Sequence, residues 1–312
     1  MTPGQTVDEA SSSGHGAFEA AYSVDAPAPE VTCASWIQSS AGYFFTLTAL
    51  CGLMDARRVL FGQGQALSID IGKIDFLLLF EWGWIIAFAT RLDFSRLRAG
   101  LAERALGFVF GAYALFVVAP ESHIWTIILC LLIAARIAPV AALRPLALCL
   151  ILAGLQFLPG HSSLEWLNQI SIGVDVRATH WLLLAAGYAN QFSDATVWLS
   201  GATHAILVNN PCDTLTALSP ALCAYGVFVL CGGGRLDTGF WRGLAVLAPL
   251  IFALNWLRLC GMTLSLEYYS WLHSGAGASI LSMIYAVAAF QMAEAAIRRS
   301  RASPAVAPVA SL

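Results

Sequence analysis

Three residues in the C-terminal third of the chain have side chains that together suit acyl transfer. Cys212 provides a thiol nucleophile, Arg258 a cation, and His273 an imidazole that takes up and returns a proton. In thiol catalysis the sulfur attacks a carbonyl carbon, an imidazole acts as base and then as acid, and a cation stabilises the oxyanion. The three residue types therefore predict acyl transfer by a thiol nucleophile, provided that the fold brings them together.

The residues around Cys212 have the form of a helix start. Asn210 suits the N-cap, Pro211 the first helical position, and Asp213 the first turn. This interpretation places the Cys212 sulfur at the positive end of a helix dipole. Together with the nearby charge of Arg258, it predicts that the pKa of the thiol is lowered.

Other interpretations of these residues stay open. His204, which precedes Cys212 by eight positions, is the alternative base, and three further histidines are predicted on the same side of the membrane. These are His123, His161 and His180. A cysteine at a helix start is often just a small residue, and an arginine at the end of a membrane span often extends to lipid headgroups.

The composition predicts the kind of fold that must position these residues. Of 312 residues, 58% are hydrophobic and only 11% are charged, and the mean hydropathy is +0.72. Such a chain is too apolar for a soluble core and indicates a multi-pass membrane protein. The net charge of −3 and the scattered basic residues exclude a nucleic-acid partner. The cysteines and histidines form no metal-type cluster, so neither a metal nor an organic cofactor is expected.

Apolar runs predict an all-α, polytopic bundle of about eight transmembrane helices. Several runs are shorter than the ~20 residues that a helix needs to cross a bilayer. The predicted spans are residues 40–54, 74–90, 105–120, 123–138, 145–158, 214–231, 243–261 and 276–293. Gly107 and Gly111 have GxxxG spacing, which predicts a close contact between two helices of the chain.

The remaining segments define the predicted domain organisation. Residues 1–35 are rich in small and acidic residues and contain no Lys or Arg, which predicts a disordered tail and not a secretory signal. Residues 36–296 form the predicted membrane domain, and residues 297–312 a short basic tail with Pro and Ala. Between residues 160 and 208, polar side chains interrupt short apolar patches, which indicates an extracytoplasmic region with interfacial helices.

The distribution of basic residues predicts the orientation of the bundle. With a cytoplasmic N-terminus, eleven of the sixteen basic residues fall in inner loops, as the positive-inside rule requires. Cys212, Arg258 and His273 then lie at the outer ends of consecutive spans. The prediction is an inner (cytoplasmic) membrane protein whose site faces the periplasm or the cell exterior.

This arrangement resembles the exosortase/archaeosortase family of multi-pass membrane enzymes. The resemblance covers roughly residues 182–293 and rests on three segments. They are Asn209-Asn210-Pro211-Cys212, Asn255-Trp256-Leu257-Arg258 and His273 before the final span. By this resemblance Cys212 is the nucleophile, Arg258 the stabiliser of the oxyanion and His273 the base or acid. Asn210, Asp213 and Asn255 are the expected supporting residues.

The resemblance also implies a substrate class. In that family the substrate is an exported protein whose C-terminal tail holds a short motif, an apolar span and a basic end. The enzyme cleaves the tail and passes the acyl group to a surface acceptor, here expected to be a polysaccharide or a lipid. Cys212 is followed by Asp213 and Thr214, where family members commonly have a small polar residue and then glycine. The alternative is a non-catalytic membrane scaffold or export-assembly protein with the same fold.

Overall fold

The structure is a computed structural model that describes residues 39–61, 75–116, 122–156, 165–201, 204–209 and 212–302. Within these ranges the chain forms ten α-helices, a short 3-10 helix (Ala141–Leu143) and a small sheet. The helices are α1 (Ser40–Phe61), α2 (Phe76–Ala89), α3 (Leu101–Phe116), α4 (Ser122–Ile137), α5 (Arg144–Leu155), α6 (Glu165–Ala185), α7 (Thr214–Cys231), α8 (Thr238–Leu264), α9 (Leu266–Ser274) and α10 (Ala276–Ala302). The strands are β1 (Asn190–Ser193), β2 (Thr196–Leu199) and β3 (Ala205–Leu207). The predicted tail at residues 1–35 lies outside the described residues.

Three of these helices are long and apolar enough to cross a membrane, namely α7, α8 and α10. Helix α7 coincides with its predicted apolar run, residues 214–231, whereas α8 and α10 extend beyond theirs. Helix α10 continues to Ala302, so part of the predicted C-terminal tail is helical. Four shorter segments are apolar helices: Ala41–Met54, Phe76–Ala89, Ile124–Ile137 and Ala141–Leu155. The described part of the chain is therefore mostly helical with three candidate spans, and the count of eight spans stays a prediction.

Helix α7 lies at the centre of the bundle. It packs against α2, α5, α8 and α10, and 61% of its span is buried, compared with 28% for the spans of α8 and α10. Its Tyr225 is fully buried, and the phenol donates a hydrogen bond to the carbonyl of Phe240 in α8 at 2.9 Å. The position of α7 matters for function because Cys212 immediately precedes this central helix.

The predicted glycine contact is confirmed within the chain. Gly107 and Gly111 of α3 face α1, where they oppose Tyr43 and Leu50. A Cβ atom at Gly111 would lie 2.8 Å from Leu50 Cδ1, and one at Gly107 would collide with the Tyr43 phenol. Small residues at this spacing allow the two helices to approach closely.

The C-terminal helices begin at side-chain caps. Asp237 Oδ1 accepts from the backbone N–H groups of Gly239 and Phe240 at the start of α8. Ser265 Oγ accepts from the N–H of Tyr268 at the start of α9. These caps satisfy backbone donors that have no partner within a helix. Ser265 is both the last cap of α8 and the first cap of α9, the helices that carry Arg258 and His273.

A three-stranded antiparallel sheet departs from the all-α prediction. Its order is β1-β2-β3, with Asn190 opposite Leu199 and Val197 opposite Ile206. The region from 160 to 208 was predicted to hold interfacial helices, and this is wrong for its second half. The strands have three or four residues each, too few to show the alternation that marks a strand in a sequence.

The sheet packs with three helices over one end of the bundle. We call this part the cap and define it as α6, β1–β3, α9 and the last two turns of α8. It has its own hydrophobic cluster, separate from the core of the bundle. The buried members are Ile172, Val176, Leu183, Val197, Ile206, Val208, Cys212, Leu259 and Met262. Cys212 therefore lies where the cap meets the bundle.

Candidate functional site

Cys212 and His273 are in direct contact where the cap meets the bundle. Cys212 Sγ lies 3.1 Å from His273 Nδ1. Cys212 occupies the turn that precedes α7, and His273 lies in the last turn of α9. The distance is within hydrogen-bond reach, so a proton can pass directly from the thiol to the imidazole. For Nδ1 to accept that proton, the neutral ring must carry its own hydrogen on Nε2.

The imidazole of His273 is oriented by its own helix. Its ring stacks on Tyr269, one turn earlier in α9, with the centroids 4.9 Å apart and the planes 13° from parallel. Burial lowers the pKa of His273, and the charge of Arg258 lowers it further. The ring is therefore neutral at neutral pH, which is the state that accepts a proton.

Arg258 lies within electrostatic reach of both members of this pair. Its Nε donates to the carbonyl of Leu272 at 3.1 Å, next to His273 in the chain. Its Nη1 lies 3.5 Å from Asn255 Oδ1. Its positive charge acts to lower the pKa of the Cys212 thiol as well as that of His273. Nη2 makes no hydrogen bond to a described residue.

The thiol itself differs from the prediction. Cys212 has no exposed surface, and burial raises the pKa of its thiol. Arg258 and a backbone hydrogen bond with Asn209 act to lower that pKa, whereas the charge of Asp213 raises it. The net pKa is raised, so the prediction of a lowered thiol pKa is wrong. The reason is that desolvation of the thiolate outweighs the favourable charge of Arg258.

The predicted start of α7 is also wrong. The helix begins at Thr214, and its N-cap is Asp213, whose Oδ1 accepts from the N–H of Thr216 at 2.7 Å. Asn210 and Pro211, the predicted cap and first helical residue, lie outside the described residues. The positive end of the helix dipole is thus occupied by a carboxylate, and the Cys212 sulfur does not take that position.

A buried carboxylate that was not among the predicted site residues joins the parts of the site. Asp175 of α6 has no exposed surface. Its Oδ2 accepts from the backbone N–H of Thr214 at 2.6 Å. Its Oδ1 accepts from the Thr214 hydroxyl at 2.5 Å and from the indole N–H of Trp256 at 2.7 Å. Burial raises the pKa of Asp175, and these hydrogen bonds counteract part of that rise.

The sequence contains a signal that would have found Asp175. Four short polar residues recur every three or four positions in this segment, which is the spacing of one face of a helix. They are Asn168, Ser171, Asp175 and Thr179. In the structure this face is turned inward, and Ser171 Oγ accepts from the N–H of Leu215 at 3.3 Å.

Asn255 holds the turn that carries Cys212. Its Nδ2 donates to the carbonyl of Cys212 and to Thr214 Oγ1, both at 3.0 Å. The Thr214 hydroxyl therefore accepts from Asn255 while it donates to Asp175. Thr214 stands where the resembling family commonly has glycine, yet it has ordinary helical geometry, since Asp194 is the one non-glycine residue with positive φ in the described part of the chain.

The other histidines have different partners. His204 Nε2 lies 3.1 Å from the carbonyl of Met262, and its ring meets Tyr269 edge-on. His180 Nδ1 lies 2.6 Å from Asn190 Oδ1. His161 and the side chain of His123 lie outside the described part of the structure. The residue in contact with the thiol is thus His273 and not the alternative, His204.

No group of three or more His, Cys, Asp or Glu side chains among the described residues could hold a metal ion.

Comparison with known proteins leaves the site to be interpreted from its own geometry. No protein-family model, no curated protein and no solved structure matches this chain. The contacts around Cys212 therefore carry the functional argument.

Proposed function

We propose that this protein is a membrane-embedded cysteine peptidase or transpeptidase of the exosortase/archaeosortase type. In this proposal eight helices cross the inner membrane, and the site at the outer face cleaves the C-terminal tails of exported proteins. The observation that carries the proposal is the 3.1 Å contact between Cys212 Sγ and His273 Nδ1. A base within hydrogen-bond reach of a nucleophile is the first requirement of thiol acyl transfer.

The first half of the proposed reaction forms an acyl-enzyme. His273 Nδ1 takes the thiol proton as Cys212 Sγ attacks the carbonyl carbon of the scissile peptide bond. Arg258 Nη2 stabilises the negative charge that develops on the carbonyl oxygen. The C–N bond then breaks, His273 returns its proton to the leaving amine, and a thioester to Cys212 remains.

The second half releases the acyl group. An acceptor hydroxyl or amine, or water, loses a proton to His273 Nδ1 and attacks the thioester carbon. The C–S bond breaks, and the Cys212 thiolate regains the proton from His273. With a surface polysaccharide or a lipid as acceptor the reaction is a transfer, and with water it is hydrolysis.

The protonation states of Cys212 and His273 favour a concerted reaction, in which the thiol proton moves to the imidazole as the sulfur attacks the carbonyl carbon. Burial raises the pKa of Cys212 and lowers that of His273, so the resting pair is a neutral thiol and a neutral imidazole. A neutral pair is compatible with a buried site, because a separated ion pair would pay a larger desolvation cost there. Arg258 then contributes most when negative charge appears on sulfur or oxygen.

The location of the site suits a membrane-anchored substrate. Cys212 immediately precedes α7, and α9, which carries His273, leads directly into α10. Both α7 and α10 are candidate spans, so the thiol lies near the end of the apolar bundle. A tail that is held in the bilayer by its own apolar span would present its cleavage site at this level.

The decisive experiment measures tail processing in cells that produce single variants. We expect Cys212→Ala, Arg258→Ala and His273→Ala each to leave exported proteins with intact C-terminal tails, detected by mass spectrometry, while the membrane protein still accumulates. Cys260→Ala is the matched control, because this thiol contacts the carbonyl of Thr179 and not a histidine. Normal tail processing by Cys212→Ala would end the proposal.

One observation favours the second candidate function, a membrane scaffold or export-assembly protein. Cys212 has no exposed surface, and its thiol pKa is raised, as in an inert buried cysteine. For a scaffold, deletion of the protein abolishes the export phenotype, whereas Cys212→Ala preserves it. For the enzyme, deletion and Cys212→Ala have the same effect.

A further inference from the structure

The buried carboxylate of Asp175 links the segment that carries Cys212 to the segment that carries Arg258. Asp175 holds Thr214, two residues after Cys212, and Trp256, two residues before Arg258. The distances of 2.5 to 2.7 Å are those of strong, charge-assisted hydrogen bonds. Cys212 lies in the turn before α7 and Arg258 lies in α8, so the distance between them depends on the contacts that join these two segments.

The bonding of Asp175 is directional. The ion pairs between described residues are Arg136–Glu103 and Arg298–Glu294, and neither involves Asp175. Its charge is instead compensated by three donors: the Thr214 N–H, the Thr214 hydroxyl and the Trp256 indole N–H. A buried carboxylate that loses such donors incurs a large desolvation cost, so the three contacts are strongly favoured together.

A second link runs parallel to the first. Asn255 donates to the Cys212 carbonyl and to Thr214 Oγ1, and its Oδ1 faces Arg258 Nη1. The Thr214 hydroxyl is common to both links, since it accepts from Asn255 and donates to Asp175. Loss of Asp175 would therefore release Trp256 and weaken the hold of Asn255 on the Cys212 turn.

We propose that Asp175 is a positioning residue that sets the distance between the Cys212 thiol and the Arg258 guanidinium. The catalytic purpose of that distance rests on the proposed function, whereas the distance itself does not. Asp175 touches neither the thiol nor the guanidinium in the contacts that hold it. It acts through Thr214 on one side and through Trp256 on the other.

The direction in which the pKa of the Cys212 thiol changes when Asp175 is neutralised distinguishes positioning of Arg258 from a direct effect of the Asp175 charge. Removal of a nearby negative charge makes a thiolate easier to form and lowers the pKa of the thiol. Loss of positioning does the opposite, because the Arg258 charge that favours the thiolate moves away. The groups that act on the thiol from the surrounding elements are Arg258 of α8, His273 of α9 and Asp213 beside it.

The experiment follows alkylation of Cys212 by iodoacetamide as a function of pH. The full-length protein is purified in detergent, and modification of the Cys212 peptide is quantified by mass spectrometry. We expect Asp175→Asn to raise the pH midpoint, so that the rate at pH 8 falls about three- to tenfold. Trp256→Phe, which keeps the ring but removes the N–H, should shift the midpoint in the same direction by a smaller amount.

Two further variants complete the test. Glu165→Gln removes an exposed acid from the same helix and should leave the midpoint unchanged. In an Arg258→Ala background, Asp175→Asn should no longer raise the midpoint, because no cation remains to be positioned. The proposal is overturned if Asp175→Asn leaves the midpoint unchanged or lowers it, or if it raises it equally without Arg258. If the Asp175→Asn protein does not accumulate, the midpoint of Trp256→Phe, measured with and without Arg258, tests the proposal by the same criteria.

This test is independent of turnover. Alkylation requires no peptide substrate, so the positioning of Arg258 can be supported even if tail processing does not depend on Cys212. Conversely, tail processing can require Cys212 while Asp175 has no effect on the midpoint. Each proposal therefore fails by its own measurement.

Discussion

The Cys212 thiol is subject to opposing influences of the same kind that tune other buried nucleophiles. Burial and the Asp213 carboxylate favour the neutral thiol, whereas Arg258 and the Asn209 backbone favour the thiolate. Because the balance lies on the neutral side, the proposed reaction requires His273 to remove the thiol proton. The 3.1 Å contact between sulfur and Nδ1 supplies that path.

The Asp213 carboxylate offers a direct test of this balance. Burial raises its pKa to about 6, and its Oδ2 is buried without a hydrogen-bond partner among the described residues. Asp213→Asn keeps an oxygen that caps the Thr216 N–H but removes the charge beside Cys212. We therefore expect a lower thiol pKa and an alkylation rate at pH 8 that is about threefold faster. A slower rate would contradict this account.

The same substitution has a stability signature. Because the folded state binds the Asp213 proton more tightly than the unfolded chain, its contribution to the free energy of unfolding falls as pH rises between 3.8 and about 6. This contribution is largest below that window and is lost above it. The apparent unfolding midpoint in detergent should lose this component of its pH dependence in Asp213→Asn. Glu267→Gln, at an exposed acid of α9, is the control.

At the residue scale, types and order in the chain were enough to nominate Cys212, Arg258 and His273. Alternate spans return to the same end of a bundle, and the structure brings these residues together. The pKa of the thiol was beyond that reasoning, because it depends on burial by cap residues that are remote in sequence. The true N-cap was missed since Asn210-Pro211 and Asp213-Thr214 both fit a helix start.

At the scale of elements, His273 is carried by α9, a helix that has no buried residue of its own. Its Trp271 packs on Gly277 at the start of α10, where a Cβ atom would lie 2.6 Å from the indole ring. Arg258 also holds α9 through the Leu272 carbonyl. The position of His273 therefore depends on the absence of a side chain at Gly277.

Gly277→Ala should displace α9 and separate His273 from the thiol. We expect the pH profile of Cys212 alkylation to become like that of His273→Ala, with a loss of stability of about 1–3 kcal/mol from the clash. Gly173→Ala in α6 is the control, because nothing lies within 4 Å of the added Cβ atom. It should preserve the profile and stabilise the protein by up to about 1 kcal/mol. A wild-type profile for Gly277→Ala would show that Trp271 does not position α9.

Helix α6 and the sheet show what local patterns can and cannot predict. The outward face of α6 carries Trp166, Ile170 and Trp181, while its inward face carries Asn168 and Asp175. Glu165, Gln169 and Arg177 are also exposed on this helix, so its outer surface mixes charged with aromatic side chains, the composition expected of an interfacial helix. The sheet escaped prediction because strands this short depend on packing against α6 and α8 more than on their own pattern.

At the scale of the whole molecule, the described site is built from residues in the C-terminal half of the chain. The N-terminal helices contribute to the core of the bundle on which the site rests. Helix α7 connects the two parts, since its body packs in the bundle core and its first residue, Thr214, bonds to the cap. Hydropathy could predict the bundle because apolar runs are visible in sequence. The depth of the site could not be predicted, because α6 and the sheet enclose Cys212 through long-range contacts.

The orientation of the bundle can be tested with single cysteines in its loops. Ser274 is the last residue of α9, at the site end and next to the turn into α10, whereas Leu236 lies at the opposite end between α7 and α8. Ser95, between α2 and α3, is predicted on the same side as Leu236, because the arginines around both positions favour the cytoplasm. In intact cells, a membrane-impermeant maleimide should label Ser274→Cys, and label Leu236→Cys and Ser95→Cys only after permeabilisation. Labelling of Leu236→Cys but not Ser274→Cys from outside would show that the bundle has the opposite orientation. The Cys212 site would then face the cytoplasm, where the tails of proteins that have already been exported could not reach it. Labelling of Ser95→Cys and Ser274→Cys together from outside would instead contradict the count of eight spans, since these two loops would then lie on one side.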